Sequence, residues 1–297
     1  MNEYNIPKVI YLTYKNKPPD YVFKRWQKLN PDYKIDFSLD SDCILFLTRY
    51  FGSDIANLFC KINVGMYKAD LWRICKLYIY GGVYADIDLV PHISIDSLIA
   101  TKYTFYSCLS IDPNSIFQAF MITPPKNPLL LSFIFSFIKN KPYTYNNGPT
   151  FDMYKCIQYN TNVEKIQADT MYTINKVKIN IEIGSSNGKI KIIPLYNFPT
   201  TSKYSFRLVQ NVYPDSFHFN VENNCLIVTR KDTNGGWDYN HSVDILIESK
   251  QQLFLFKEIR GNDGSWVSAY VKYKNKKIFD SRDMEYLKKK EQGQVYK

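Results

Sequence analysis

The sequence predicts an α/β protein with a strand-rich second half, and three observations carry that prediction. Up to about residue 160, short apolar runs bounded by turn residues alternate with helical stretches. Beyond it the helical period gives way to period-two alternation, as in Val177-Lys178-Ile179-Asn180-Ile181-Glu182-Ile183. The 297 residues, 45% apolar and 22% charged, are enough to bury a large core. Two regions are expected: residues 1–165, and a β-rich 166–297 that is either an extension of the first sheet or an appended β-sandwich.

Lys8 to Tyr14 reads as a buried first strand closed by the turn Asn16-Lys17-Pro18-Pro19. A helix over Asp20 to Leu29 and an alternating strand over Tyr33 to Phe37 follow. Asp40 and Asp42 are placed to cap a helix over Cys43 to Tyr50, and are given no chemistry. The next helix, Val64 to Tyr80, is apolar on most faces, which predicts cover on several sides. At about 100° per residue, Asp70, Arg73 and Leu77 share one side of it. Burying that charged pair is costly unless each member is partnered. Gly81-Gly82 supplies the left-handed exit a helix end needs, and Val83-Tyr84-Ala85 resumes as a strand.

Asp86 and Asp88 follow at i and i+2. If the strand continues, they project from one face with Cα atoms about 6.6–6.8 Å apart. Two carboxylates so placed repel unless one has a raised pKa, a Lys or Arg lies nearby, or a hard divalent cation binds between them. An apolar strand ending in Asp-x-Asp, behind a packed helix carrying Asp70 and Arg73, favours the cation. The plain alternative is a solvated strand end that starts a turn before Pro91.

After Pro91, Ile93 to Ala100 reads as a short turn or helix, and Tyr103 to Tyr106 and Phe117 to Ile122 as strands. Pro124-Pro125 precedes a helix from Pro128 to Ile138, apolar enough to be buried. Asn146-Asn147-Gly148-Pro149 leads into a helix over Thr150 to Gln158, whose amino terminus can donate N–H groups to an anion or a sugar hydroxyl. In the second half, the alternation over 177–183 and at Ile190 and Ile192, joined by Gly184-Ser185-Ser186-Asn187-Gly188, predicts a hairpin. Further runs at 217–221, 226–229, 243–247, 253–256 and 267–273 read as strands.

The formal charge of +10 suits polyanionic partners, from nucleic acid to a nucleotide diphosphate. Part of it lies in Lys274, Lys276, Lys277 and Lys288-Lys289-Lys290, read as a solvated face. Only a compact basic groove argues for nucleic acid, so none is expected as a partner. Six cysteines stand singly with no Cys-x-x-Cys, which fits neither a zinc site nor a disulfide framework and points to a reducing, cytoplasmic-type compartment. The longest apolar run, Leu129 to Ile138, is too short to span a bilayer, and no signal h-region opens the chain. A soluble protein without a membrane anchor is expected.

Asp70-Leu71-Trp72-Arg73, with Leu77-Tyr78-Ile79-Tyr80-Gly81-Gly82-Val83-Tyr84-Ala85-Asp86-Ile87-Asp88, closely resembles the sugar-binding DXD region of glycosyltransferase family 32, which includes mannosyl- and other hexosyltransferases. Ile6-Pro7-Lys8-Val9-Ile10, Trp26 with Asn30-Pro31-Asp32-Tyr33, and more weakly Asn147-Gly148-Pro149-Thr150 resemble flanking parts of that family, so the likeness covers about the first half. It implies a GT-A-like, Rossmann-type sheet that binds a nucleotide sugar, a UDP- or GDP-hexose, together with Mn²⁺ or Mg²⁺. It also implies retaining transfer to a glycan, glycoprotein or glycolipid acceptor. On this resemblance Asp88 ligates the metal and Asp86 helps through water or holds the ribose. Arg73 fixes the acids or meets a phosphate, and Asp70 orients Arg73 or the donor sugar. Tyr11 and Thr13 line base and ribose, although relatives often carry His and Trp where this chain has Tyr11 and Tyr14. Asn147 and Gly148 approach the donor. Relatives also place a Ser-Trp pair late in the chain; Gly264-Ser265-Trp266 is the nearest equivalent, with Gly235-Gly236-Trp237 second.

Two other classes share these features. A metal-dependent nuclease or phosphohydrolase would use the paired acids with a nearby histidine such as His92 around two metals. A carbohydrate-binding protein would work through its β half and leave Asp86 and Asp88 idle.

Overall fold

The computed structural model describes residues 5–99, 105–110, 114–139, 148–161 and 262, and the strands at 171–172, 177–183, 190–194, 204–208, 217–222, 225–230, 241–247, 251–260, 266–273 and 276–280. Its first half runs β1 (Val9–Thr13), α1 (Asp20–Leu29), β2 (Lys34–Ser38), α2 (Asp40–Phe51), α3 (Ser53–Lys61), α4 (Gly65–Tyr80), β3 (Gly82–Ala85), β4 (Val90–Pro91), β5 (Phe105–Leu109), β6 (Ile116–Thr123), α5 (Pro128–Lys139) and α6 (Pro149–Thr161). The elements described in the second half are all strands: β7 (Met171–Tyr172), β8 (Val177–Ile183), β9 (Ile190–Pro194), β10 (Tyr204–Leu208), β11 (Phe217–Glu222), β12 (Cys225–Arg230), β13 (His241–Ile247), β14 (Gln251–Arg260), β15 (Trp266–Tyr273) and β16 (Lys276–Asp280). The mixed α/β class read from the sequence is the class observed. Helix α3 is additional to that reading; Gly52 at φ +85° breaks the chain between α2 and α3.

The main sheet has the order β2-β1-β3-β6-β5-β14-β15-β16-β4, with β7 beside β14. Strand β1 lies parallel between β2 and β3, pairing Thr13 with Ser38 on one side and Tyr11 with Tyr84 on the other. The chain therefore leaves the sheet on opposite sides of β1 at one edge, the arrangement that opens a crevice at the carboxyl ends of strands. Strand β14, from the second half, adds in parallel to β5, and β15 and β16 continue antiparallel from it.

Apolar side chains fill both faces of this sheet. Helix α4 gives Leu71, Trp72, Ile74, Cys75, Leu77 and Tyr78 to one face, against α2, α3, α5, α6 and Leu226 and Val228 of β12. Val22 and Trp26 of α1 cover the other face against Phe120, Phe254 and Phe279. The α4 exit depends on its two glycines. Gly81 and Gly82 sit at φ +65° and +98°, and a Cβ on Gly81 would lie 2.4 Å from the Pro125 nitrogen, closer than real Cβ contacts come. Among the described residues, no helix is long and apolar enough to cross a membrane.

The hairpin expected over 177–192 is corrected. Both strands form, but β8 pairs with β13 and β9 with β12, in two separate three-stranded sheets, β10-β13-β8 and β11-β12-β9. Alternation fixes which face of a strand is apolar; it does not fix the partner, which non-local side-chain pairing decides. Within these two sheets, β11 and β12 are sequence neighbours that pair as a hairpin, with Glu222 opposite Cys225.

Candidate functional site

Three loops meet where β1, β2 and β3 end. Tyr14 N and Thr13 Oγ1 donate to the Ser38 carbonyl (3.4 and 2.9 Å), which ties the exit of β1 to that of β2. On the other side β3 stops at Ala85. Asp86 N donates to Ala119 O of β6 (2.8 Å), and Leu89 N turns back to Asp86 O (3.0 Å). The chain Asp86-Ile87-Asp88-Leu89 is therefore a turn, not the continued strand from which a common face for the two acids was expected. Aspartate readily initiates such turns because its carboxylate competes for nearby backbone groups. A cavity of about 540 Å³ opens here, lined by Thr13 at the end of β1 and Tyr14 and Lys15 after it, Asp40 after β2, and Asp86, Ile87 and Asp88 after β3. Its wall is completed by Phe59 and Asn63, by Gly65, Met66, Lys68, Ala69, Trp72 and Arg73 of α4, and by Tyr84 of β3.

Arg73 organises the acidic end. Its side chain is only 5% exposed, yet Nη2 lies 3.1 Å from Asp70 Oδ1 and 3.4 Å from Asp86 Oδ1. Nε donates to Ala69 O (3.2 Å), and the guanidinium lies 4.5 Å from the Tyr84 ring centroid. The helical spacing of Asp70 and Arg73 makes the first pair, and β3 delivers the second acid to the same cation. Burial by itself disfavours the charged guanidinium, but Asp86, Tyr84, Asp70 and Asp88 more than offset it and hold the pKa above the usual arginine value. Burial pushes the Asp70 carboxyl up to about 6 against the pull of Arg73, with Asp86 adding to the rise. Burial also drives the Tyr84 phenol well above its ordinary value, so its hydroxyl stays a donor, to Asp86 Oδ1 at 2.6 Å.

These contacts occupy one oxygen of Asp86, whose side chain remains one-third exposed, and Asp88 lines the cavity two residues on. The donor set that faces the cavity is carboxylate oxygen, which fits a hard cation such as Mn²⁺ or Mg²⁺ rather than a thiophilic one. No group of three or more His, Cys, Asp or Glu side chains is gathered for a metal among the described residues. A cation at this turn would complete its shell from a bound ligand and water. His92 is engaged with Asp280 Oδ2 (2.6 Å) and is not among the residues that line the cavity.

Of the residues singled out from sequence, Asp86, Asp88, Arg73 and Thr13 line the cavity, and Asp70 stands behind them in contact with Arg73. Tyr11 is 4% exposed and packs in the core, its ring 5.1 Å from Lys76 Nζ, while Tyr14 and Lys15 take the lining position. Gly148 is buried at the start of α6, where its carbonyl accepts from Phe151 N (3.1 Å), and is not part of the cavity lining. Trp266 opens β15 opposite Arg260. Asn147, Gly264-Ser265 and Gly235-Gly236-Trp237 lie outside the described residues. Sequence reasoning missed Tyr84 as a ligand of Asp86, although its place two residues before the acid was a signal. It also missed Asp40 and Lys68, which the cavity brings together.

Residues 19–105 match the family model described as a glycosyltransferase sugar-binding region containing a DXD motif. The initiation-specific alpha-1,6-mannosyltransferase of Candida albicans is 31% identical over 106 residues, 32% of this chain and 28% of that protein. The chain thus spans under a third of the length of the curated relative it matches. Among solved structures, PaToxG glycosyltransferase is similar at 16% identity with a TM-score of 0.40, over 52% of this chain and 69% of that one.

Proposed function

For a chain whose residues 19–105 match the model of a glycosyltransferase sugar-binding region with a DXD motif, we propose a metal-dependent hexosyltransferase that uses a UDP- or GDP-sugar donor and a glycan, glycoprotein or glycolipid acceptor. The observation that carries this reading is the cavity that joins Asp86 and Asp88 to Arg73 and to the loop Thr13-Tyr14-Lys15. Breaking a sugar–phosphate bond places growing negative charge on the departing diphosphate. Sites that aim fixed positive groups at that charge lower the barrier. A bound Mn²⁺ or Mg²⁺ would supply Lewis-acid neutralisation of the diphosphate oxygens.

Asp88 is the direct ligand in this proposal, and Asp86 contributes the oxygen that Arg73 and Tyr84 leave open. Arg73 needs no reorganisation to act, since Asp70, Asp86 and Ala69 O already fix its plane. It holds Asp86 at the rim and presents positive charge toward the phosphates. Asp70 positions Arg73 and stands close to where a donor hexose would lie. Transfer with retention needs no carboxylate nucleophile if the leaving phosphate accepts the acceptor hydroxyl's proton, and we assign no base.

Thermal unfolding of the whole chain, with and without Mn²⁺ and with UDP- and GDP-hexoses, tests the proposal by mass action on the native state. A melting temperature raised only by metal and nucleotide sugar together, accompanied by slow metal-dependent donor hydrolysis, is the expected result. Cleavage of phosphodiesters with no response to any nucleotide sugar would replace the transferase with the hydrolase reading. Metal-independent glycan binding that survives Asp88→Ala would replace it with the binding-protein reading.

A further inference from the structure

We infer that Asp40 and Lys68 form the base-reading end of the cavity, an acceptor–donor pair that selects uracil or guanine nucleotides over cytosine and adenine ones. This inference rests on the transferase reading of the same cavity. Lys68 Nζ lies 2.9 Å from Asp40 Oδ2, and the two side chains remain 24% and 44% exposed, so both are held yet reachable. Both line the cavity that also holds Asp86 and Asp88. Asp40 lies two residues past Ser38, whose carbonyl ties down Thr13 and Tyr14, so it stands at the exit of β2 while the DXD turn stands at the exit of β3. Lys68 is steadied by the Phe59 ring, 5.1 Å from Nζ.

Charge assigns the two ends. A diphosphate is drawn to the end where Arg73, and a cation held by Asp86 and Asp88, would offset the acids, whereas Asp40 is paired with Lys68 at the exit of β2. A carboxylate already balanced by a lysine is a nearly neutral acceptor beside a donor, which suits a neutral base. Asp40 does not serve as the cap of α2. That task falls to Asp42, whose Oδ2 accepts from Leu39 N (2.9 Å).

Uracil and guanine present a ring N–H next to a carbonyl, so the N–H donates to Asp40 and the carbonyl accepts from Lys68. Cytosine and adenine present a bare ring-nitrogen lone pair at the corresponding position, which would face the carboxylate unpaired.

Calorimetric titration of the full chain in Mn²⁺ with UDP, GDP, CDP, ADP and inorganic pyrophosphate tests this. UDP or GDP should bind about tenfold or more tighter than both CDP and ADP, the ratio one well-formed buried hydrogen bond supports. In Asp40→Asn the amide can turn its N–H toward a lone pair, and the preference should close to about threefold or less. Pyrophosphate affinity should hold, which also reports an intact fold. Asp40→Ser, whose hydroxyl both donates and accepts, should repeat the loss. Equal binding of all four nucleotides by the unaltered chain would overturn the inference and leave the transferase standing, as would a preference that persists in both variants. Equal weakening of every ligand, pyrophosphate included, would reduce the pair to a clip between α2 and α4 and overturn it too. If nothing binds the unaltered chain, the transferase reading falls, and this one with it.

Discussion

Helix α4 buries two cations one turn apart and treats them differently. Arg73 is held by two carboxylates, a backbone carbonyl and one aromatic face, and it lines the cavity. Lys76 is ringed by Tyr11, Phe46, Tyr80 and Trp72 at 5.1 to 5.6 Å, with Asp36 Oδ2 at 3.4 Å, and is absent from the cavity lining. Guanidinium presents several donors in a fixed plane, which suits a cation that must hold two acids in place. Ammonium is a compact point charge, and aromatic faces attract it without fixing a direction. A buried charge alone is therefore a poor marker of function. What separates the two is whether the partners are groups that must also meet a ligand.

The comparison is most directly broken at Arg73. Arg73→Ala leaves Asp70 buried without its cation and frees Asp86 to move, and removing one partner of a buried pair typically costs about 3–5 kcal/mol. Urea unfolding should register that loss, and transfer should vanish. Arg73→Lys should recover part of the stability and little of the activity, because one ammonium cannot hold both acids. A variant as stable as the parent would mean that the acids are relaxed elsewhere. Asp88→Asn separates chemistry from packing: metal-dependent transfer should fall on the order of 10³-fold, as expected for loss of charge stabilisation at the leaving group. The unfolding midpoint should stay in place. Full activity in this variant would remove the proposed metal.

These residues also show how much the sequence disclosed. The Asp70–Arg73 pair, the Gly81-Gly82 exit and the short strand before Asp86 follow from helical spacing and glycine's permitted angles, and all are present. The turn at Asp86–Leu89 was hidden because period-two alternation does not say where a strand stops. Tyr84 was read as part of a β run although its hydroxyl serves Asp86. Asp40 was read only as a cap, since nothing local shows that Lys68, 28 residues on, comes to within 2.9 Å of it. Partners across the sheet follow from topology, which local patterns leave open. The same reason accounts for β8 and β9 entering different sheets.

A smaller effect, in pH, sharpens the account of the acidic end. Burial raises the Asp70 carboxyl to about 6, above its ordinary value of 3.8, so between those values the folded chain holds more proton at this site than the unfolded chain. Its contribution to stability is whole below about pH 4 and is lost as pH rises through about 6. In denaturant unfolding, Asp70→Asn should lack this slope. The difference between parent and variant should shift by at most about 3 kcal/mol in favour of the variant from pH 4 to pH 7. A parallel pair of pH profiles would show that Arg73 compensates the buried carboxylate fully.

The least effect belongs to Lys76, and its smallness is the point. Lys76→Met keeps the length of the side chain and its packing against four rings while removing the charge. The aromatic attraction lost is about 1–2 kcal/mol for a desolvated ammonium. Part of it returns as a thioether fills the same aromatic space favourably. Asp36, its carboxylate one-third exposed, is left to water rather than stranded. A net change of about 1 kcal/mol or less is expected in urea unfolding, with affinity for Mn²⁺ and nucleotide sugar unaltered. Were Lys76→Met to weaken donor binding as strongly as Arg73→Lys does, the line drawn between the two cations would be wrong, and the aromatic cage would have to be counted as part of the donor site.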